Sequence, residues 1–169
     1  MTDEEFRNAF HQHKDVLYRY AYRMTGLAPV SEDVVQEVFL ALWRKPERYD
    51  WQRGSLRSFL LGIARNLILK RWRDERPTEQ IDSELFISLP LDLTDLERSE
   101  AVARAVQELP PLQREAVILA EYEEMPLQEI AAATGAELAA VKSRLHRGRE
   151  NLKRLLTPLL EPGGILHGH

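Results

Sequence analysis

The chain has 169 residues, of which 44% are hydrophobic and none is cysteine, and its formal net charge is −4. This composition excludes a wholly disordered chain, a disulfide framework and a thiolate metal site, and no apolar run approaches the roughly 20 residues that span a bilayer. The acidic, polar amino terminus lacks the pattern of a signal peptide, so we expect a cytoplasmic protein without membrane insertion of its own.

The charge is distributed unevenly along the chain. Residues 1–77 carry a net charge of +3, residues 78–108 a net charge of −6 and residues 109–169 a net charge of −1. Basic residues also cluster within the outer segments, with six against two acidic residues in 57–76 and six against one in 142–154. Two basic stripes on either side of an acidic connector are typical of a protein that contacts a phosphate backbone at two points.

Apolar residues at helical spacing predict three amphipathic helices in the first 76 residues. The first covers residues 3–24 and ends at Gly26. The second begins at Ser31 as its N-cap and ends before Pro46, and the third is capped by Ser55 and ends at Arg76. The second helix presents an acidic and amide face outward, whereas the third is basic outside its apolar stripe. His11 and His13 on the first helix are two residues apart and face in different directions, so we expect no metal site.

The loop between the second and third helices interleaves aromatic residues with arginines. Tyr49 and Trp51 alternate with Arg48 and Arg53. An unpaired base needs such a stacking surface, with cations for the adjacent phosphates. The alternative is that both aromatic rings pack under the loop as a small satellite core, and the composition gives the two interpretations about equal weight.

Residues 78–93 show neither helical nor alternating periodicity, and we predict a flexible acidic linker there. A helix is predicted from Thr94 or Asp95 to Leu109, followed by a helix over LQREAVILAEY. A short helix, LQEIAAAT, then a turn at Gly135 and a long helix over about residues 137–156 predict a helix-turn-helix whose second member enters a major groove. Residues 157–169 are predicted to be a frayed tail.

No enzyme signature is present in the sequence. The chain lacks a phosphate-cradling glycine-rich loop, a metal motif on a helix and a nucleophile elbow, so we expect neither an enzyme nor a cofactor. The helix-turn-helix by itself is compatible with an autonomous DNA-binding transcription regulator, which remains the alternative function.

Three motifs in order give the chain a family resemblance. They are a D-x-x-Q-E-x-F run in SEDVVQEVFLALWRKPERYD, an I-A-R-N run in RGSLRSFLLGIARNLILKRWRDERP, and a V-K-S-R-L-x-R-x-R run in the helix-turn-helix. The ordered set resembles the bacterial sigma factors of the extracytoplasmic-function (ECF) group of the sigma-70 family, over about residues 5–157. The resemblance implies an all-α fold of two small helical domains, a region 2-like domain (1–77) and a region 4-like domain (94–157), with the linker over 78–93 and a tail over 158–169.

The resemblance also implies a function and its residues. A protein of this group binds core RNA polymerase, directs it to promoter DNA, helps to open the duplex and is controlled by an anti-sigma factor. The residues that match the core-polymerase contact are Asp33, Gln36 and Glu37. Those that match the minus-ten contact are Tyr49, Trp51, Arg53, Ser55, Arg65, Asn66, Lys70, Arg71 and Arg73. Those that match the minus-thirty-five contact are Lys142, Ser143, Arg144, Arg147 and Arg149.

Overall fold

The computed structural model describes residues 1–75 and 95–160, and these two ranges contain helices and short connections but no β-strand. We call them the amino-terminal and the carboxy-terminal domain. The predicted linker over 78–93 lies outside the described residues, as do residues 161–169 of the predicted tail. Within the described ranges, no helix combines the length and the apolar character that crossing a membrane requires.

The amino-terminal domain consists of helices α1 (Asp3–Thr25), α2 (Ala28–Arg44) and α3 (Leu56–Glu75). A capping box starts α1, because the Thr2 hydroxyl accepts a bond from the Glu5 backbone N–H and the Glu5 carboxylate accepts one from the Thr2 N–H. Gly26 ends α1 with a left-handed φ of 76°. Two 3-10 turns, Pro46–Arg48 and Trp51–Arg53, connect α2 to α3.

The predicted start of α2 at Ser31 is wrong. The helix begins at Ala28 with Pro29 in its first turn, where the missing N–H of proline costs nothing. Ser31 is fully buried one turn inside the helix, and its hydroxyl donates to the Leu27 carbonyl at 2.8 Å. Ser31 therefore satisfies its own polar group against the preceding turn and caps nothing.

The carboxy-terminal domain consists of α4 (Asp95–Glu108), α5 (Pro111–Val117), α6 (Leu127–Thr134) and α7 (Leu138–Leu160). A π-helical turn, Ile118–Tyr122, continues α5, so the helix predicted over LQREAVILAEY is present and only its π-helical end was not predicted. Helix α6, the turn at Gly135 with its φ of 71°, and α7 form the predicted helix-turn-helix. Since α7 extends to Leu160, the predicted tail is wrong over residues 157–160, which are helical.

The two domains pack against each other around one continuous hydrophobic cluster. Helix α3 is central to this packing, because it contacts α1 and α2 within its own domain and α6 of the other. Its buried residues include Leu60, Leu61 and Ile68. The largest fully buried apolar side chains come from both domains: Leu17, Tyr20, Met24, Leu42, Leu60, Leu61, Ile68, Leu109, Ile118, Leu119 and Ile130.

Candidate polymerase and nucleic-acid interface

Helix α2 presents the predicted acidic and amide face to solvent. Asp33, Gln36 and Glu37 are all exposed, while Val34 and Val38 on the opposite side are buried. The Asp33 carboxylate lies 3.9 Å from the Arg71 guanidinium of α3, a distance at the limit of an ion pair. Arg71 therefore sits beside the acidic face, whereas the sequence placed it with the DNA-contacting residues.

The aromatic loop separates its two rings. The Tyr49 hydroxyl donates to the Gly54 carbonyl at 3.1 Å, and its ring lies 5.4 Å from the Phe59 ring, so this half-buried side chain packs under the loop. Trp51 is 74% exposed on a turn that the Asp50 carboxylate caps through the Gln52 N–H at 2.9 Å. Tyr49 therefore fits the interpretation of a satellite core under the loop, whereas the exposed Trp51 ring is available for stacking.

The other predicted minus-ten residues differ in availability. Five are exposed on the loop and on α3: Arg53, Ser55, Asn66, Lys70 and Arg73. Ser55 caps α3 by accepting from the Ser58 N–H at 3.0 Å, and its hydroxyl also lies 3.1 Å from the Glu129 carboxylate of α6. Arg65 is half-buried and donates to Glu115 of α5 at 2.8 Å. Ser55 and Arg65 are therefore engaged by the carboxy-terminal domain.

The predicted recognition helix is the amino-terminal half of α7. Its outer side carries the predicted minus-thirty-five residues, of which Arg144 is half-buried and the others are exposed: Lys142, Ser143, Arg147 and Arg149. Arg149 is already paired within its domain, since its Nε donates to Glu121 at 2.8 Å. The inner side of α7 buries Val141 and Leu145, and a Cβ at Gly148 would come within 2.7 Å of Val117 Cγ2. Glycine at 148 thus lets α7 approach α5 closely.

Three glutamates of the carboxy-terminal domain bind arginines of the amino-terminal domain. Arg57 donates from Nε and Nη2 to the two carboxylate oxygens of Glu129, at 2.9 and 2.8 Å. Arg19 binds Glu123 through the same fork, at 3.0 and 2.9 Å, and Arg23 adds a contact to Glu123 at 3.4 Å. We call these contacts, with Arg65 and Glu115, the interdomain ion pairs.

The innermost of these pairs is buried and shared. One oxygen of Glu115 accepts from both the Tyr20 hydroxyl and Arg65 Nε, each at 2.8 Å, and the Glu115 side chain is only 2% exposed. Burial, followed by the neighbouring Glu115 charge, raises the pKa of Tyr20 well above its usual range, so its hydroxyl stays protonated and donates. The two hydrogen bonds together compensate the buried carboxylate.

The pair of Arg57 and Glu129 shows the expected electrostatic effect on both partners. The Arg57 guanidinium, through its hydrogen bonds, holds the pKa of the Glu129 carboxyl below its usual range. The same bonds raise the pKa of Arg57. Because Glu129 is about one fifth exposed and Arg57 about one third, water screens this pair more than it screens Glu115.

A second set of contacts joins the domains near the end of α1. Arg114 of α5 is buried and donates to the main-chain carbonyls of Met24, at the end of α1, and of Leu109. Its guanidinium also lies 5.4 Å from the Trp72 ring of α3. Nearby, the Arg23 guanidinium lies 4.1 Å from the centre of the Tyr122 ring.

The interdomain contacts could not be predicted from the sequence. The partners are separated by 50 to 104 residues, so no local spacing connects them. The sequence does contain one indirect signal, which is the run of acidic residues from Glu115 to Glu129 opposite a basic first domain. That signal indicates charge complementarity but does not identify the pairs.

Comparisons with known proteins identify both domains. The sigma-70 region 2 family matches residues 9–78, and the sigma-70 region 4 family matches residues 99–152. The ECF RNA polymerase sigma factor SigW of Bacillus subtilis is 30% identical over 162 residues, which cover 87% of this chain and 86% of SigW. SigE of Mycolicibacterium smegmatis is 33% identical over 159 residues, covering 86% of this chain and 59% of SigE.

A solved structure matches across both domains. The sigma factor RpoE of Bartonella quintana, solved in complex with the anti-sigma factor NepR, aligns with a TM-score of 0.70 at 25% identity and covers 91% of this chain and 98% of RpoE. The matched families account for most of the chain in the order that the three motifs predicted. The chain belongs to the sigma-70 family and is an RNA polymerase sigma factor of the ECF group.

Proposed function

We propose that this chain directs core RNA polymerase to promoters through three separate surfaces, one for the polymerase and two for DNA. The observation that carries this assignment is the occurrence of regions 2 and 4, in order, in one chain whose predicted contact residues are largely exposed. We infer that it works in the cytoplasm as an initiation factor without a reaction of its own.

The polymerase surface is the exposed face of α2. Asp33, Gln36 and Glu37 offer carboxylate and amide oxygens to basic residues of a partner helix, and charge complementarity of this kind favours fast and specific association. Replacing all three by alanine should abolish binding to core polymerase and leave the helix content unchanged. Unchanged binding would refute this assignment.

The minus-ten surface combines the exposed Trp51 ring with the basic face of α3. The exposed Trp51 ring would stack on a base that has left the duplex, while Arg53, Lys70 and Arg73 offer cations to the phosphates. Asn66 is the exposed amide on α3 that can bond a base edge. Tyr49 supports this surface from below by holding the loop through Gly54 and Phe59.

The minus-thirty-five surface is the outer side of α7. Lys142, Ser143 and Arg147 are exposed near its start, where a recognition helix contacts base edges and phosphates. Arg149 can join them only by leaving Glu121. Substitution of Arg147 by alanine is expected to weaken promoter binding. Equal weakening across promoters of varied minus-thirty-five sequence would indicate a phosphate contact, whereas relaxed preference at one base pair would indicate base recognition.

We further propose an anti-sigma partner for this chain. Support comes from RpoE, whose aligned structure includes the anti-sigma factor NepR, and from CnrH, solved in complex with the cytosolic domain of CnrY, which aligns with a TM-score of 0.71 at 25% identity. Those alignments cover 91% and 92% of this chain and therefore include both packed domains. Such a partner would hold the domains together and cover one or more of the three surfaces.

Run-off transcription separates this function from that of an autonomous helix-turn-helix regulator. The purified chain with core polymerase should initiate at specific sites in a promoter library, and the chain alone should not produce footprints on duplex promoters. Footprints by the chain alone, without any transcript in the presence of core enzyme, would overturn the proposal in favour of the regulator.

A further inference from the structure

We propose that Arg19, Arg23, Arg57 and Arg65 form a binding surface for the phosphate backbone of single-stranded DNA, which the carboxy-terminal domain masks while the two domains are packed together. We call these four residues the arginine face. The proposal rests on the promoter function above and extends its DNA-binding surface from α3 onto α1.

The geometry of the ion pairs is the first support. Arg19 and Arg57 each bind two carboxylate oxygens through Nε and Nη2, with all four distances between 2.8 and 3.0 Å. The same planar fork fits two oxygens of a phosphate group. Glu123 and Glu129 therefore occupy the positions that backbone phosphates would take.

The four arginines belong to one electrostatic patch. Glu115 receives hydrogen bonds from Tyr20 of α1 and from Arg65 of α3 on a single oxygen, so the two helices converge at this carboxylate. The charge of Glu123, which binds the α1 arginines, also contributes to the raised pKa of Arg57. A polyanion that follows α3 thus encounters the α1 residues as well.

The arginine face is continuous with the proposed minus-ten surface. Ser55, one of the predicted minus-ten residues, shares Glu129 with Arg57 at the start of α3. Arg19 and Arg23 are four residues apart and lie on one side of α1. A strand held by Asn66 and the exposed α3 cations therefore has four further guanidinium groups beside it once the carboxy-terminal domain has moved away.

The interdomain ion pairs are suited to exchange. Glu115 and Glu123 are 2% and 5% exposed in the packed arrangement, so both carboxylates have lost hydration that they regain when the domains separate. Because this desolvation offsets much of the attraction, buried ion pairs hold two surfaces together less strongly than their geometry suggests. DNA phosphates can then replace the carboxylates, and DNA and the carboxy-terminal domain compete for one surface.

The test uses the full chain without polymerase and a fluorescein-labelled 20-nucleotide oligothymidylate, because phosphate contacts do not depend on sequence. The triple variant Glu115→Gln, Glu123→Gln and Glu129→Gln should bind this strand at least about tenfold more tightly than the wild type. This gain is expected if fewer than about one tenth of wild-type molecules have separated domains that can bind the strand, and if most molecules of the variant do. The matched control replaces three exposed glutamates, Glu4, Glu75 and Glu100, by glutamine. It changes the net charge equally and should show only a small gain.

A second step tests the α1 residues directly. Adding Arg19→Ala and Arg23→Ala to the triple variant should remove most of the gain and lower the slope of log affinity against log salt by roughly 1.4, about 0.7 for each lost contact to a single strand. Equal binding by the triple variant and the control, or an unchanged slope after removal of the α1 arginines, would overturn the proposal. If the variants with core polymerase still give run-off transcripts at the wild-type level, the promoter function stands although the arginine face does not.

A charge exchange guards against misfolding of the triple variant. Small-angle scattering should show expansion for Arg57→Glu and for Glu129→Arg, and recompaction when the two are combined, since the exchanged pair can form again. Circular dichroism reports on helix content throughout. If the triple variant loses helix content, Glu123→Gln alone, whose described partners are Arg19 and Arg23, should still give a smaller gain in affinity, and its absence would count against the arginine face.

Discussion

Gly62 offers a way to separate the domains without changing any charge. This half-buried residue of α3 faces α6, and a Cβ placed on it would lie 3.1 Å from the Ala133 carbonyl oxygen. Alanine is favoured over glycine within a helix by about 1 kcal/mol, so Gly62→Ala should stabilise α3 itself. The same methyl group crowds a backbone atom of α6, and overpacking of this kind typically costs about 1–3 kcal/mol.

The two effects act on different equilibria and should have opposite signs. The ratio of packed to separated domains should fall roughly 5- to 150-fold, because 1.4 kcal/mol corresponds to about a factor of ten. Hydrogen exchange should show stronger protection of α3 amides, while small-angle scattering shows a larger radius of gyration. Gly62→Leu, with a longer side chain at the same contact, should expand the chain further.

The reasoning would be refuted by one combination of results. If Gly62→Ala raises the melting temperature by a few degrees and leaves the radius of gyration unchanged, α6 accommodates the methyl group by a shift of a few tenths of an ångström. The contact between α3 and α6 would then not limit how the domains pack.

Three further predictions concern other contacts. Gly148→Ala should destabilise the carboxy-terminal domain, because its Cβ would lie 2.7 Å from Val117 Cγ2, and Val117→Ala should restore part of the lost melting temperature. Acid should open the domains, because Arg57 lowers the pKa of Glu129: the contribution of this pair to domain packing is complete above the ordinary pKa of 4.5 and is lost as the pH falls through the lowered pKa. Small-angle scattering at pH 7, 5.5 and 3.5 should show this expansion. The variant Glu129→Gln should show a smaller change in radius of gyration with pH. Trp51→Ala should leave the melting temperature unchanged, because the ring is 74% exposed, yet weaken open-complex formation by about 1–3 kcal/mol in a permanganate-footprinting assay. A loss of folding stability as large as the loss in open-complex formation would contradict the role of this ring in stacking.

Helix positions were predictable because periodicity and terminal signals are local. The start of α6 after Pro126 and its end at Gly135 follow from residues next to each other in the sequence. The error at Ser31 is instructive, since two local signals competed there. Pro29 suits the first turn of a helix as well as it suits a break, and the buried environment of Ser31 decided in favour of the earlier start.

The aromatic loop shows what composition leaves undecided. Tyr49 and Trp51 are two residues apart and chemically alike, and only the fold determines which ring lies above Phe59. The interdomain contacts lay further beyond reach. The basic character of α3 was predicted, but the partial neutralisation of Arg57 and Arg65 depends on how the two domains meet, and that placement is not encoded in either helix alone.

The contacts of Arg114 and the interdomain ion pairs respond to different conditions. The hydrogen bonds of Arg114 go to the main-chain carbonyls of Met24 and Leu109, which neither acid nor substitution of a side chain can remove. Salt screens the ion pairs of Glu123 and Glu129 instead, and acid removes the charge of Glu129 as the pH falls through its lowered pKa. Loosening should therefore start at the pair of Arg57 and Glu129, between α3 and α6, while α1 remains attached through Arg114, so that the carboxy-terminal domain swings about a hinge at the end of α1 before it detaches.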